Sequence, residues 1–190
     1  MTDLGPAMFI DPGERKLHIV GQTRPWKLWE VRVAKTVDDF GQKLEEIEQG
    51  FVEVVDILWS LGLGPPVVFV ESPAYAQANR AHQLGAVHGV IFREARRLGL
   101  ACGHVPIGKV KKFATGNGSA AKPLVVSSIA VRTGLTFQTD DEADALAGYC
   151  FVMEALGRPH PLGRLPKTHM AALKDFALPV RPNQPERQTK

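Results

Sequence analysis

Cysteine is scarce in this chain of 190 residues: Cys102 and Cys150 are the only two, and both sit inside apolar stretches. Two thiols so placed make no disulfide framework, and buried free cysteines are expected instead. Neither has a partner at zinc-ligand spacing, and no His-Glu-x-x-His occurs among the six histidines, which excludes the common zinc sites. No apolar run approaches the roughly 20 residues that span a bilayer, and the N-terminus lacks a charged segment followed by an apolar signal core. The expectation is a cytoplasmic protein with no membrane partner. A Gly-Lys-Ser/Thr ending is missing as well, so there is no nucleotide-binding loop of the Walker type. Charge of one sign is not in large excess, the formal net charge being +3.

What is there begins with a hydrophobic content of 44%, enough for one good core. Residues Ala7 to Asp11 form a short apolar run that ends in Asp-Pro-Gly and reads as a buried strand stopping at a turn. Lys16 to Val20 and Lys27 to Val33 read as two more strands, giving an antiparallel meander. Phe40, Leu44, Ile47, Phe51, Val54, Leu58 and Leu61 recur at spacings of three and four, an amphipathic helix closed by Gly62. Val67 to Val70 is a continuous apolar run suited to a strand covered on both faces, and it ends at Glu71. A helix from about Asn79 to Leu98, a strand over Leu100 to Val105, and helices over Ser119 to Arg132 and Asp141 to Leu156 complete a mixed-sheet α/β domain with five strands. This domain is expected over residues 1–157. A Pro-rich and basic extension follows over 158–190, with a disordered tail expected from Pro179.

Two buried strands end in a carboxylate, Asp11 and Glu71. An ionised carboxylate there loses hydration and persists only if a metal, a cation or several donors compensate it. The plainer alternative is that Asp11 caps a turn and Glu71 caps the next helix. Asp141 and Asp144 add two carboxylates at i and i+3, on one face of a helix near its N-terminus. Acidic residues in a first turn are often just dipole partners, but Ala143, Ala145 and Ala147 would let this helix lie close against a sheet. An all-oxygen donor set without histidine suits a hard divalent cation, Mg²⁺ or Mn²⁺, and two such ions would serve phosphodiester hydrolysis.

Lys109, Lys111, Lys112 and Lys122 lie in a stretch read as a basic loop from Gly108 to Lys122, with a helix starting at Ser119. Cations, glycines and exposed amides at a helix start suit a phosphate backbone, while an ordinary turn capped by Ser119 explains Gly116-Asn117-Gly118 equally well.

Together, Ile10-Asp11-Pro12-Gly13, Val70-Glu71, the run from Val110 to Lys122, and Asp141-x-x-Asp144-Ala145-Leu146-Ala147 resemble the motifs of RuvC-type Holliday-junction resolvases, in order and spacing. The resemblance covers roughly residues 7–156. It implies an RNase H-like fold and a homodimer that makes paired symmetric nicks in a four-way DNA junction. It also implies that Asp11, Glu71, Asp141 and Asp144 are the metal-binding catalytic carboxylates, with Lys111 and Lys122 near the scissile phosphate and Lys109 and Lys112 as basic neighbours. In the family an aromatic or apolar residue follows the strand glutamate and meets unstacked bases. Tyr75 is its nearest counterpart here, in a different register, and a packed surface tyrosine explains it as well. Glu14-Arg15-Lys16-Leu17 departs from the family pattern, which leaves the role of the first turn open. Two rival readings remain: an RNase H-like nuclease for other branched DNA or RNA, and a junction-binding protein without catalysis.

Overall fold

The computed structural model describes residues 5–23, 26–73 and 78–182. Its framework is a five-stranded sheet of order β3-β2-β1-β4-β5, made of β1 (Ala7–Pro12), β2 (Lys16–Gly21), β3 (Lys27–Arg32), β4 (Val67–Glu71) and β5 (Cys102–Val105). The first three strands pair antiparallel as the expected meander, and β1, β4 and β5 run parallel. β1 is therefore central, and its residues Ala7, Met8, Phe9 and Ile10 are all fully buried. Because side chains alternate between the faces of a strand, Ala7 and Phe9 enter one core while Met8 and Ile10 enter the other. Phe9 is level with Phe69 of β4. Two residues further along each strand, on the same face, stand Asp11 and Glu71.

The Met8 and Ile10 face is covered by α1 (Phe40–Ser60) and α2 (Ala78–Arg97). α1 starts where the Asp39 side chain accepts from the Gln42 N–H at 2.9 Å, and it stops at Gly62, whose φ of 70° few other residues tolerate. Leu61, expected on the buried stripe, is instead exposed in the turn after the helix.

The opposite face carries α3 (Ile107–Thr115), α4 (Lys122–Thr133) and α5 (Asp140–Ala155). α5 is buried on nearly every side, from Ala143 through Met153 apart from Asp144. Its start is fixed by reciprocal capping. Thr139 Oγ1 accepts from the Glu142 N–H at 3.4 Å, and the Glu142 carboxylate accepts from the Gln138 N–H at 2.8 Å.

Two expectations are corrected on this face. The stretch read as a basic loop begins as helix α3, since Val110, Phe113 and Ala114 supply a buried stripe at helical spacing beneath the lysines. Ser119 does not start the next helix. Gly116, at φ 82°, closes α3; Asn117 Oδ1 then accepts from the Ser119 N–H at 3.0 Å in a turn. α4 begins only at Lys122, with Pro123 in its first turn, where the missing N–H costs nothing.

Beyond α5 the chain returns to the same core. Leu162, Leu165 and Ala172 are buried in it, the last two flanking the short helix α6 (Lys167–Met170). The buried His169 is hydrogen-bonded through Nδ1 to the Phe113 carbonyl at 2.8 Å, tying this segment to α3. Of the tail expected to be disordered, residues 179–182 run past β5, where Pro179 lies against Gly103; residues 183–190 fall outside the described residues. No described helix is long and apolar enough to cross a membrane.

A carboxylate and lysine cluster at the sheet edge

Asp11 and Glu71 leave the carboxyl ends of two adjacent parallel strands on the face that α5 covers. α5 can approach that face closely because Gly148 packs on the Phe9 ring, where a methyl group would overlap the ring. Ala143, Ala145 and Ala147 are buried as expected, and Gly148 adds a contact that admits no side chain. Asp144 stands one helical turn before Gly148 and Asp141 nearly two, so both are carried toward the strand ends.

The electrostatics show how tightly the carboxylates crowd. Burial raises the Asp11 carboxyl to about 7, with repulsion from Asp141 and Asp144 adding to it. Burial likewise raises Glu71 to about 9, reinforced by repulsion from Asp11 and Asp144. The hydrogen bond between the two carboxyls lowers Asp11 and raises Glu71. Burial also raises Asp144, against the pull of Lys122. Asp141 behaves oppositely. Burial would raise it, but hydrogen bonds from Lys122 and Lys16 hold it at about 2.

Lys122 supplies the cation at the centre. Its Nζ lies 2.8 Å from Asp141 Oδ1 and 3.2 Å from Asp144 Oδ2. Burial disfavours its charge, yet the two aspartates hold the ammonium charged well above the ordinary lysine range. Lys16 joins from β2, with Nζ 2.5 Å from Asp141 Oδ2. His18, level with Asp11 on the neighbouring strand, is buried beside them. Burial and then Lys16 lower its pKa, and its Nε2 lies 3.2 Å from Glu30 Oε2 without hydrogen-bond alignment.

The expected residues thus divide. Asp11, Glu71, Asp141, Asp144 and Lys122 come together. Lys111 is close enough to lower the Asp144 pKa. Lys112 lies on α3 beside the Gly118 turn, without a carboxylate partner among the described residues. Lys109 points elsewhere: its Nζ donates to the carbonyls of Ala172 at 3.1 Å and Lys174 at 2.5 Å, clamping the C-terminal segment. Tyr75 lies outside the described residues. Lys16 and His18 are the members that motif reading missed. The signal was the alternation of Lys16, His18 and Val20, which puts a cation on the same face as the buried Val20.

Among the described residues no three carboxylate, imidazole or thiol groups form a closed metal cage as they stand. The donor set still fits a hard divalent cation. Every acidic donor is an oxygen, and Asp11 and Glu71 are desolvated with no Lys, Arg or His nitrogen at ion-pair distance among the described residues. A divalent ion bound there would stabilise the ionised carboxylates that burial disfavours.

A mixed sheet of order 3-2-1-4-5, with acidic residues on the central parallel strands and on a helix crossing them, defines an RNase H-like fold of the nuclease type. The solved structure of Thermus thermophilus RuvC superposes with a TM-score of 0.62 at 22% identity, covering 83% of this chain and 99% of that one. The same protein in complex with a Holliday junction substrate gives the same score over 93% of this chain. At the sequence level the chain is 32% identical over 142 residues to the crossover junction endodeoxyribonuclease RuvC of Salinibacter ruber, covering 73% of this chain and 72% of the relative. It is 33% identical over 116 residues to the RuvC of Bdellovibrio bacteriovorus, 60% of this chain and 66% of that one. No family model matches. The chain belongs to the RuvC family of crossover junction endodeoxyribonucleases.

Proposed function

We propose that the protein resolves four-way DNA junctions as a homodimer, hydrolysing phosphodiesters with Mg²⁺ or Mn²⁺ held by Asp11, Glu71, Asp141 and Asp144. The observation that carries this reading is the gathering of four carboxylates and Lys122 at the carboxyl edge of the two central parallel strands. Two ions per site suit a displacement in which an attacking and a leaving oxygen both need stabilising. The chemistry supplied by such ions is Lewis-acid activation of water and neutralisation of charge on the departing oxygen.

The protein's own groups do the rest. Asp11 and Glu71, desolvated on rigid strands, present oxygens whose geometry is set by the sheet, which is the precision a displacement needs. Asp144 is held by α5 against that sheet, and Asp141 beside it at the rim. Lys122, drawn into the cluster by Asp141 and Asp144, has the charge to steady a phosphate beside the metal site. Lys111 and Lys112 on α3 extend positive charge outward along the path a strand would take. A two-fold dimer matches a two-fold junction, so two such sites would cut symmetrically.

The test is cleavage of a labelled synthetic four-way junction in Mg²⁺, Mn²⁺ or EDTA, beside linear duplex, flap and RNA–DNA hybrid substrates. Paired nicks on the junction alone, and only with metal, are expected. Preferential cutting of a flap or hybrid would move the reading to another branched-nucleic-acid nuclease; tight junction binding with no cut in either metal would leave a binding protein.

A further inference from the structure

Both oxygens of Asp141 are occupied by ammonium groups. Lys122 takes Oδ1 at 2.8 Å and Lys16 takes Oδ2 at 2.5 Å. The two lysines are not equivalent. Lys122 opens α4 and is shared with Asp144, whereas Asp141 is the one carboxylate at ion-pair distance from Lys16 among the described residues.

Lys16 is also built in from the opposite side of the cluster. It opens β2, on the same face as His18 and Val20, and lies one same-face position nearer the rim than His18, which is level with Asp11. The preceding turn is pinned at several points. The Gly13 N–H donates to the Lys16 carbonyl at 2.7 Å, the Val33 N–H donates to the Arg15 carbonyl at 2.9 Å, and the Arg15 guanidinium donates to the Val37 carbonyl at 3.0 Å. The Lys16 stem therefore starts from a fixed point, and its side chain, about two-thirds buried, crosses to α5 rather than waving in solvent.

We propose that Lys16 is a positioning residue that holds Asp141 at the rim and competes with the divalent metal for its Oδ2, and so sets how readily the cluster takes up metal. The inference rests on the metal-dependent reading above. A divalent ion at an Asp141 oxygen comes within a few ångströms of the ammonium groups of Lys16 and Lys122, and like charges so close repel. Lys16 is the one that gives way, because leaving Asp141 strips it of its carboxylate partner but leaves Asp141 and Asp144 still bridged by Lys122. The arrangement keeps Asp141 pointed into the cluster while metal is absent, at the cost of weaker metal uptake.

The experiment measures Mn²⁺ binding to the full-length protein without DNA, by the paramagnetic resonance signal of free Mn²⁺, for wild type, Lys16→Met, Lys16→Gln, Lys16→Arg and Asp144→Asn. Lys16→Met and Lys16→Gln are expected to bind on the order of three- to tenfold more tightly than wild type, since a nearby positive charge is removed. Lys16→Arg, which keeps the charge, should bind like wild type. The Mn²⁺ concentration for half-maximal junction cleavage should fall in the same two variants. A merely structural lysine would show the reverse, because a disordered site binds metal less well. Two neutral variants are included so that poor folding of one does not decide the matter. Equal or weaker binding by the folded neutral variants, with wild-type binding intact, overturns the role of Lys16. Absence of Mn²⁺ binding by wild type, or binding untouched in Asp144→Asn, overturns the metal reading of the whole cluster and this inference with it.

Discussion

Gly148 of α5 lies against the distal end of the Phe9 ring on β1, with no room between them for a methyl group. That contact sets the height of α5 above the sheet, and with it the distance from Asp144 to the ends of β1 and β4. Gly148→Val is expected to destabilise the fold by about 1–3 kcal/mol or more, as overpacking of a dense core does, and to lower cleavage further by lifting Asp144 away from Asp11. Urea unfolding and junction cleavage on the same preparation check this. A variant with wild-type stability and rate would show that α5 is not held by this contact.

Asp144→Asn separates chemistry from binding. The amide keeps the volume and most of the packing but cannot supply the charge a divalent ion needs. Cleavage should vanish while junction affinity stays within a few-fold of wild type, since phosphate contacts come from lysines. Titrating labelled junction by gel shift in EDTA, beside a cleavage assay in Mg²⁺, checks both halves. Loss of affinity together with activity would point to a structural role for Asp144.

Much of this was legible in the sequence because the relevant signals are local. Strand ends at Asp11 and Glu71 follow from apolar runs that stop at a carboxylate, and the Asp141 and Asp144 pair follows from i and i+3 spacing on a capped helix. What escaped depended on contacts between distant segments or on a masked period. The three lysines of α3 hid a buried stripe of Val110, Phe113 and Ala114, so a helix read as a loop. Lys109 looked like its neighbours until the C-terminal segment was seen to supply carbonyls for it. Lys16 joins Asp141 across 125 positions of chain, a pairing no spacing rule can show. Gly148, equally, is meaningful only once Phe9 is known to face it.

Stability should respond to pH through Asp11 and Glu71. Their carboxyls are raised in the folded protein to about 7 and about 9 from ordinary values of 3.8 and 4.5. At these two carboxyls the folded state binds more protons than the unfolded state between about pH 4 and pH 9, which costs metal-free protein stability as pH rises, while the lowered imidazoles of His18, His88 and His104 act oppositely below about pH 6.5. Asp141, held at about 2, acts the other way and only in acid, where its stabilisation is lost as pH falls from about 4 toward 2. Thermal melts in EDTA should show Tm declining from about pH 7 to pH 9, with Mg²⁺ or Mn²⁺ reversing much of the decline. The doubly substituted Asp11→Asn, Glu71→Gln protein should lose that slope. A flat Tm in the wild type would mean that the pair is compensated in some other way.

Lys122 and Lys109 should part company in one salt titration. Lys122 stands in the carboxylate cluster, so Lys122→Ala is expected to slow cleavage and to reduce the slope of log affinity against log salt by about one, as loss of a single phosphate contact does. Lys109 spends its donors on the carbonyls of Ala172 and Lys174. Lys109→Met should leave the salt slope unchanged and lower stability by about 1 kcal/mol through loosening of the C-terminal segment. Junction binding from low to moderate salt, with urea unfolding of both variants, separates the two roles. If Lys109→Met lowers the slope as Lys122→Ala does, then α3 presents its whole basic face to the phosphate backbone and the clamp on the C-terminal segment opens when DNA binds.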